Sequence, residues 1–332
     1  MSDAPVLTPT RHDHSSHDHS SHDQSVGRHD YQSVADALNA QQSEHDGHGH
    51  AHHDHGPLTM EGRHAHEAET YDALAASILA TWPDEDFRVD PQRIPFANRE
   101  HVEFLTDAIG RLGPLAGRRI LEVGVGGGSL AVWLALQGAE VVGIDVSPGI
   151  LAVAQKRAEI NGVADGVTFV NAPIESFDPE AEGLDFAQFD AIIGNNVVHH
   201  FERDLAMASL TRLLAPGAVA VFCEPVLFLP EVARTVRNSA LITRRFPLHT
   251  HSPDERSLDE RDFAVMRRWF RHVQWTPYQL LCRLQNFYEL SDRTWTRLEA
   301  IDRAVLRRFR FTSRVCRIAV ITLGLPQEGV TS

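Results

Sequence analysis

A run of glycines lies between two apolar stretches near the middle of the chain. The segment ILEVGVGGGS spans residues 120–129. Glycine permits positive φ angles and lets the backbone approach a ligand closely. A helix that starts directly after such a loop offers free N–H groups and the positive end of its dipole. The segment therefore predicts a strand, a ligand-binding loop and a helix, in that order.

Two cofactor patterns compete for this loop. The dinucleotide pattern GxGxxG, started at Gly124, meets Ser129 where a final glycine or alanine is expected. The pattern ExGxGxG is satisfied in full by residues 122–128. Asp145 ends the next apolar stretch, where a carboxylate can accept hydrogen bonds from both ribose hydroxyls. That acid alone does not separate the two cofactors, because NAD sites use a similar one.

Three further segments follow the glycine loop in a recognisable order. They are NAPI at residues 171–174, FDAIIGNNVVHHF at 189–201 and LLAPGA at 213–218. With ExGxGxG, and across residues 119–225, they resemble the class I S-adenosylmethionine-dependent methyltransferases of the bacterial small-molecule type. The resemblance implies S-adenosyl-L-methionine as cofactor. It also implies methyl transfer to O, N or C of a small molecule by in-line displacement.

The same resemblance assigns residues to the cofactor. Many relatives carry an acid where Asn171 stands, so adenine contacts are expected from the backbone or from Ile174. On the methionine side, the resemblance implies the loop residues Glu122, Gly124, Gly126 and Gly128. It implies Asp145 at the ribose, and Asn171 and Ala172 beside the adenine. Asn195 is expected near the sulfonium.

Two adjacent histidines, His199 and His200, are candidate general bases, because imidazole titrates near neutral pH. The alternative is that one packs against the sheet edge and the other is solvated. Glu224 ends the fifth predicted strand, where it either faces the pocket or has a structural role. No metal site is expected in the folded domain.

Strands and helices alternate at short spacing from residue 119 to residue 224, which predicts a parallel sheet with right-handed crossovers. Apolar residues at helical spacing predict a helix over Glu67–Thr81, and an apolar run predicts a last strand over Val315–Leu323. The predicted fold is α/β: a Rossmann-like, doubly wound, mostly parallel seven-stranded sheet with helical lid insertions. The predicted domain spans 67–332, with N-terminal helices at 67–115, the cofactor core at 116–225, and substrate-side insertions at 226–258 and 278–312.

The first 66 residues have a different composition from the rest. They contain 14 of the 20 histidines, mixed with Asp, Ser and Gly. Such a segment buries too little apolar surface to offset its chain entropy, so it is predicted to be disordered. Its imidazoles favour weak, multisite binding of divalent metal ions.

Composition limits the remaining function classes. The chain has 332 residues, 42% of them hydrophobic, and a net charge of −14. It lacks a signal peptide pattern and a run of 18 apolar residues, and its three cysteines, Cys223, Cys282 and Cys316, are scattered and expected to be buried. We therefore predict a cytoplasmic enzyme without nucleic-acid or membrane partners. The alternative is a protein that uses this fold for a non-methylating reaction, such as cyclisation, or a non-catalytic protein whose tail binds metal.

Overall fold

The computed structural model describes residues 59–95, 99–228, 257–282, 284 and 290–326. Its centre is a seven-stranded sheet with the order β3-β2-β1-β4-β5-β7-β6. The first five strands run parallel, and β7 lies antiparallel between β5 and β6. The strands are β1 (Arg119–Val123), β2 (Glu140–Asp145), β3 (Val167–Asn171), β4 (Phe189–Asn195), β5 (Leu214–Pro225), β6 (Phe270–Tyr278) and β7 (Ile318–Pro326).

Helices cover both faces of the sheet. They are α1 (Met60–Thr81), α2 (Arg99–Leu112), α3 (Ser129–Leu136), α4 (Pro148–Ile160), α5 (Arg203–Leu213), α6 (Glu260–Trp269) and α7 (Asp292–Arg308). Side chains of α2 and α3 form the core on one face, and side chains of α5 and α6 form the core on the other. Because both faces are covered, β1, β2 and β4 are almost continuously apolar. The predicted mostly parallel α/β sheet is confirmed.

The carboxyl ends of the parallel strands meet at one edge of the sheet. Ser147 caps α4 by accepting a hydrogen bond from the Ile150 N–H, and Pro148 occupies the first turn. This local start signal turns the chain sharply after β2, so that Asp145 stays at the edge. The glycine loop after β1 and Asn195 at the end of β4 lie along the same edge.

Two predicted boundaries are wrong. Helix α1 begins at Met60 instead of Glu67, since Thr59 caps it by accepting the Gly62 N–H at 3.2 Å. The predicted disordered tail therefore cannot extend to residue 66. The last strand begins at Ile318 because the chain forms a 3₁₀ helix over Arg310–Val315.

Other predictions fall partly outside the described residues. These are the tail up to residue 58, most of the 226–258 insertion (229–256), and residues 283 and 285–289 within the 278–312 insertion. Helix α7 accounts for much of what is described in that second insertion. In the described ranges, we find no helix that is both long and apolar enough to cross a bilayer.

Candidate active site

A cleft opens at the carboxyl edge of the sheet, between the glycine loop and helix α1. Its empty volume is about 970 Å³, counting its open mouth. Sequence-predicted residues from three strand ends line it together: Glu122, Gly124, Gly126, Asp145, Asn195 and His200.

The glycine loop owes its shape to positive φ angles. Gly124 has φ 69°, and a Cβ there would lie 2.7 Å from Cγ2 of Val197. Gly126 has φ 50° with open space around it. The N–H groups of Gly124 and Val125 both donate to the Ile144 carbonyl, at 2.9 and 3.1 Å. The loop is thereby tied to the end of β2, and its backbone remains open to the cleft.

Gly128, predicted to belong to the cofactor loop, has a different environment. It has φ 76°, and a Cβ there would lie 2.7 Å from Cβ of Ala154 on α4. It is not among the residues that line the cleft. Its described contacts therefore explain this glycine by the close approach of α4 to the start of α3.

Asp145 holds the end of β2 against the glycine loop. Its Oδ2 accepts the Gly126 N–H at 2.9 Å, and its Oδ1 accepts the Ser147 N–H at 3.0 Å. Burial raises the pKa of the Asp145 carboxyl, and these backbone hydrogen bonds oppose that rise. Each oxygen accepts one backbone N–H, and a carboxylate oxygen can accept a second donor. The side chain can therefore still receive hydroxyl groups.

Two buried oxygens in the cleft lack donors. Among the described residues, Oε2 of Glu122 and Oδ1 of Asn195 have no hydrogen-bond partner. Glu122 is only 4% exposed. Burial, together with the negative charge of Asp145, raises the pKa of the Glu122 carboxyl well above its usual range. Unpartnered buried acceptors are costly, so this pair is suited to a ligand that brings donors and positive charge.

The two residues predicted to flank the adenine lie behind Asp145. The side chain of Asn171 donates to the Asp145 carbonyl at 3.0 Å, and the Ala172 N–H donates to the same oxygen at 3.1 Å. Neither residue lines the cleft. Their described contacts hold the ends of β2 and β3 together.

The paired histidines have different environments. His200 lines the cleft, whereas His199 does not. Nδ1 of His199 lies 2.9 Å from Oε2 of Glu224, and its side chain is 10% exposed. The two imidazole rings lie 4.1 Å apart, centre to centre.

Glu224 holds the turn that carries both histidines. Its Oε1 accepts the N–H groups of Val197 and Val198, at 2.7 and 2.8 Å, while Oε2 meets His199. The carboxylate is fully buried. The Glu224 carboxylate thereby fixes the 3₁₀ turn Val198–His200 to the end of β5. The sequence had left open whether Glu224 faces the pocket or has a structural role.

Helix α1 forms the opposite wall of the cleft. The sequence places this helix among the parts outside the cofactor core that contact substrate, but it does not indicate which of its residues face the cleft. Oε2 of Glu67 lies 3.8 Å from Nδ1 of His200, and Tyr71 and Trp82 also line the cleft. Asp72 anchors the helix, because its Oδ1 accepts the Ser147 hydroxyl at 2.6 Å and the N–H of Gly149 at 2.7 Å. Helical apolar spacing predicts a buried face for this helix, but no sequence signal says what that face covers.

Arg157 on α4 is a second lining residue that sequence reasoning missed. Its Nε donates to the Gly127 carbonyl at 2.7 Å, beneath the glycine loop. The residue is 7% exposed. The cleft wall thus includes a guanidinium as well as the carboxyl groups of Glu122 and Asp145.

The three cysteines lie apart from the cleft wall. Cys223, Cys282 and Cys316 are buried, as predicted, and each carries a thiol that is not part of a disulfide. Burial is the main cause of the raised thiol pKa values of Cys223 and Cys282. Within the described ranges, no three His, Cys, Asp or Glu side chains converge to hold a metal ion.

Comparison with known proteins identifies the family. A family model described as a methyltransferase domain matches residues 121–222. A ubiquinone biosynthesis O-methyltransferase of Alkalilimnicola ehrlichii is 33% identical over 243 residues, covering 71% of this chain and 90% of that protein. A protein of the same name from Ruegeria pomeroyi is 30% identical over 202 residues, covering 57% and 77%.

The overall fold also occurs in a solved structure of another protein. The crystal structure of the cyclase SpnF superposes with a TM-score of 0.50 and 19% identity, covering 81% of this chain and 97% of that one. At this identity the likeness concerns the fold alone.

Proposed function

The chain belongs to the class I S-adenosylmethionine-dependent methyltransferases, and we propose that it O-methylates a small molecule bearing an acidic, phenol-like hydroxyl. S-adenosylmethionine is the methyl donor, and small molecules are the acceptors. The observation that carries the finer proposal is His200 in the cleft, on a turn fixed by the buried Glu224. The O-methyltransferase names of the similar proteins support the same acceptor atom.

The residues of the cleft fit the methionine end of the cofactor. Its ammonium group can donate to the two unpartnered oxygens, Oε2 of Glu122 and Oδ1 of Asn195. Its carboxylate suits the N-terminus of α3 and the guanidinium of Arg157. Each charged group of this portion thereby has a partner of opposite charge or polarity.

The ribose end fits the neighbouring wall. The Asp145 carboxylate is held by the N–H groups of Gly126 and Ser147, so it is already oriented before a ligand arrives. Its remaining lone pairs can accept the two ribose hydroxyls. Gly124 and Gly126 supply a loop without side chains along the cofactor.

When bound, the cofactor supplies an electrophilic methyl group on a sulfonium whose leaving group is neutral. The chain therefore chiefly aligns the acceptor and excludes water. Helix α1 serves the second task, because Tyr71 and Trp82 cover the cleft opposite the glycine loop. Asp72 holds that helix in place through Ser147 and Gly149.

His200 is the proposed general base. The acceptor oxygen forms a bond to the methyl carbon as the methyl–sulfur bond breaks and its electron pair goes to sulfur, which leaves a neutral thioether, and the hydroxyl proton passes to the imidazole of His200. The imidazolium that forms is stabilised by Glu67, whose carboxylate lies 3.8 Å away. A phenolic hydroxyl loses its proton near pH 10, within reach of such a base, whereas an alkyl hydroxyl is far less acidic.

His199 and Glu224 are positioning residues in this proposal. Glu224 binds His199 and two backbone N–H groups of the turn, so it limits where the neighbouring His200 can lie. The close contact of the two tilted rings, whose centres lie 4.1 Å apart, restricts the imidazole of His200 further.

Transfer of labelled methyl groups tests the acceptor class. The full chain is incubated with methyl-labelled S-adenosylmethionine and, separately, catechol, phenol, an aliphatic alcohol and a primary amine. We expect labelled methyl ethers of catechol or phenol and negligible label on the alcohol and the amine. Label on the amine alone would overturn the O-methylation proposal. Absence of label on all four probes and on small molecules of a cell extract would favour a non-methylating role, such as the cyclisation named for SpnF.

The compartment and the tail complete the proposal. We place the enzyme in the cytoplasm, because buried cysteine thiols outside disulfides fit a reducing compartment. We propose that it has no nucleic-acid partners. The His-rich tail binds divalent metal ions weakly, apart from catalysis. Equilibrium dialysis with Zn²⁺ compares the full chain with a chain that starts at residue 59, which keeps the Thr59 cap of α1. Equal Zn²⁺ uptake by the two chains would contradict the metal-binding role.

A further inference from the structure

Helix α7 carries a stripe of arginines on its solvent face. At 100° per residue, positions 293, 297, 300, 304, 307 and 308 fall on one side of the helix. All six are exposed. Four of them are arginines, and we call Arg293, Arg297, Arg307 and Arg308 the arginine stripe.

The acidic residues in the body of this helix face the other way. Asp302 is 3% exposed, and its carboxylate accepts the N–H groups of residues 280–282 at 2.7–3.1 Å. Glu299 lies near Glu103 and Arg303, on the same inner side. Asp292, in the first turn, also lies off the stripe. Within the described part of the chain, no carboxylate forms an ion pair with the arginine stripe, so its positive charge is directed at solvent.

Large apolar side chains adjoin the stripe. Phe311 is 73% exposed and Phe309 is 45% exposed, and their rings lie 6.1 Å apart. Val315 and Ile301 are also exposed, at 38% and 46%. Arginines beside exposed aromatic and aliphatic groups on an amphipathic helix are typical of segments that lie in the interface of an anionic bilayer.

The surface lies at the same edge of the sheet as the cleft. The chain runs from Phe311 through Cys316 into β7, whose first residue, Ile318, pairs with the carboxyl ends of β5 and β6. The cleft opens at the carboxyl ends of the neighbouring parallel strands. A flat surface that contacts Phe311 would therefore approach the side of the molecule where acceptor enters.

We propose that the arginine stripe, with Phe309 and Phe311, docks the enzyme on the surface of an anionic lipid bilayer. The chain as a whole carries a net charge of −14, so an anionic surface repels most of it and favours this one face. A second copy docked stripe to stripe would bring the arginines against each other. This proposal revises the sequence-based prediction that the protein has no membrane partner, and it does not depend on the nature of the acceptor.

Vesicle sedimentation tests the proposal with the full chain. Vesicles of phosphatidylcholine alone are compared with vesicles that also contain phosphatidylglycerol. The assay is run near pH 8, where imidazole is neutral, and with a chelator, so that the His-rich tail cannot bind through charge or metal. We expect sedimentation with the anionic vesicles only, and a steep decrease with added salt.

Two variants that each lose four arginines show whether vesicle binding takes place through the arginine stripe. Replacing the arginine stripe by glutamine should lower vesicle affinity about fivefold per arginine. A control variant carries glutamine at four exposed arginines on other elements, Arg88, Arg93, Arg119 and Arg271, and should bind like the wild type. Phe311→Ser should weaken binding about tenfold and leave the salt dependence unchanged.

Three results would overturn the proposal. The first is equal sedimentation with neutral and anionic vesicles. The second is equal loss of binding in the stripe and control variants. The third is binding of an acidic peptide or a second copy through the stripe without vesicle binding. The four arginines lie in the 278–312 segment that sequence assigned to the substrate side, but none of them lines the cleft. Methyl transfer to a water-soluble phenol should therefore be unaffected in the stripe variant, so failure here is distinguishable from failure of the proposed reaction.

Discussion

Two buried glutamates near the cleft, Glu122 and Glu224, differ in how completely their oxygens are hydrogen-bonded. On the cofactor side, Oε2 of Glu122 and Oδ1 of Asn195 are buried, and neither has a hydrogen-bond partner in the described part of the chain. On the acceptor side, Glu224 is equally buried, yet its oxygens meet two backbone N–H groups and His199. The side chains of Glu122 and Glu224 are similarly buried, but the oxygens of Glu224 have more hydrogen-bond partners.

This difference indicates separate tasks. A buried acceptor without donors is costly in the free protein and gains a partner only when a ligand binds. Glu224 does not line the cleft, and its oxygens meet His199 and two backbone N–H groups, so it fixes the groups that it holds. We therefore expect Glu122 to control cofactor affinity, and the Glu224 turn to control turnover through His200.

The largest effect is expected from His200→Ala. Loss of the proposed base should lower kcat by about 10²- to 10⁴-fold, while the Kd for S-adenosylmethionine stays within about threefold. Steady-state kinetics and calorimetry measure the two quantities. His199→Ala serves as the comparison and should cost less, because that residue does not line the cleft. A larger loss in His199→Ala would move the base to the other imidazole.

The second-largest effect is expected from Glu122→Gln. The substitution keeps the side-chain size and removes the charge that faces the ammonium group, so cofactor affinity should fall about 10- to 100-fold. The free protein should be no less stable, since the variant removes a carboxyl whose charged form is disfavoured by burial. Titration calorimetry and thermal unfolding check both parts. Unchanged affinity would separate Glu122 from the cofactor.

Glu122 should also shape the pH dependence of stability in the cofactor-free protein. Its folded pKa lies well above the ordinary value of 4.5. As pH rises past 4.5, the unfolded chain loses this proton while the folded chain retains it. Stability therefore falls with rising pH until the folded pKa is passed, by up to about 1.4 kcal/mol per pH unit.

The matching control for this slope is Glu122→Gln. Because burial also raises the pKa of Asp145, the variant should lose only part of the slope. Denaturant unfolding at several pH values measures the difference between the two proteins. An identical slope in both would mean that Glu122 titrates normally.

The smallest effect is expected from Asn171→Ala. This side chain is exposed and donates to the Asp145 carbonyl, and it does not line the cleft. Cofactor affinity should therefore change by less than about threefold. A loss of cofactor affinity as large as that of Glu122→Gln would instead support the adenine contact that the family resemblance implies for Asn171.

The sequence predicted the strand, glycine loop and helix around residues 120–129 well because the signals for them are local. Positive φ angles require glycine at 124 and 126, and an acid at the end of β2 needs no long-range information. The same locality misled the interpretation of Gly128, which the spacing cannot distinguish from a ligand contact but which packs against Ala154.

The acceptor half could be predicted only in part. Sequence singled out His199, His200 and Glu224, but not which histidine faces the cleft or that Glu224 holds the turn. Those answers depend on contacts between residues far apart in the chain, such as Glu224 with Val197. The residues of α1 that face the cleft could not be predicted for the same reason, since Glu67 meets His200 only in the folded chain.

The separation of binding from turnover is tested most directly by single-turnover methyl transfer to catechol at saturating S-adenosylmethionine. We predict that Glu122→Gln regains a rate within about threefold of the wild type, because saturation compensates for lost affinity. His200→Ala should remain slower by about 10²-fold or more at any cofactor concentration. A wild-type rate in His200→Ala, or a rate in Glu122→Gln that saturation does not restore, would contradict the account.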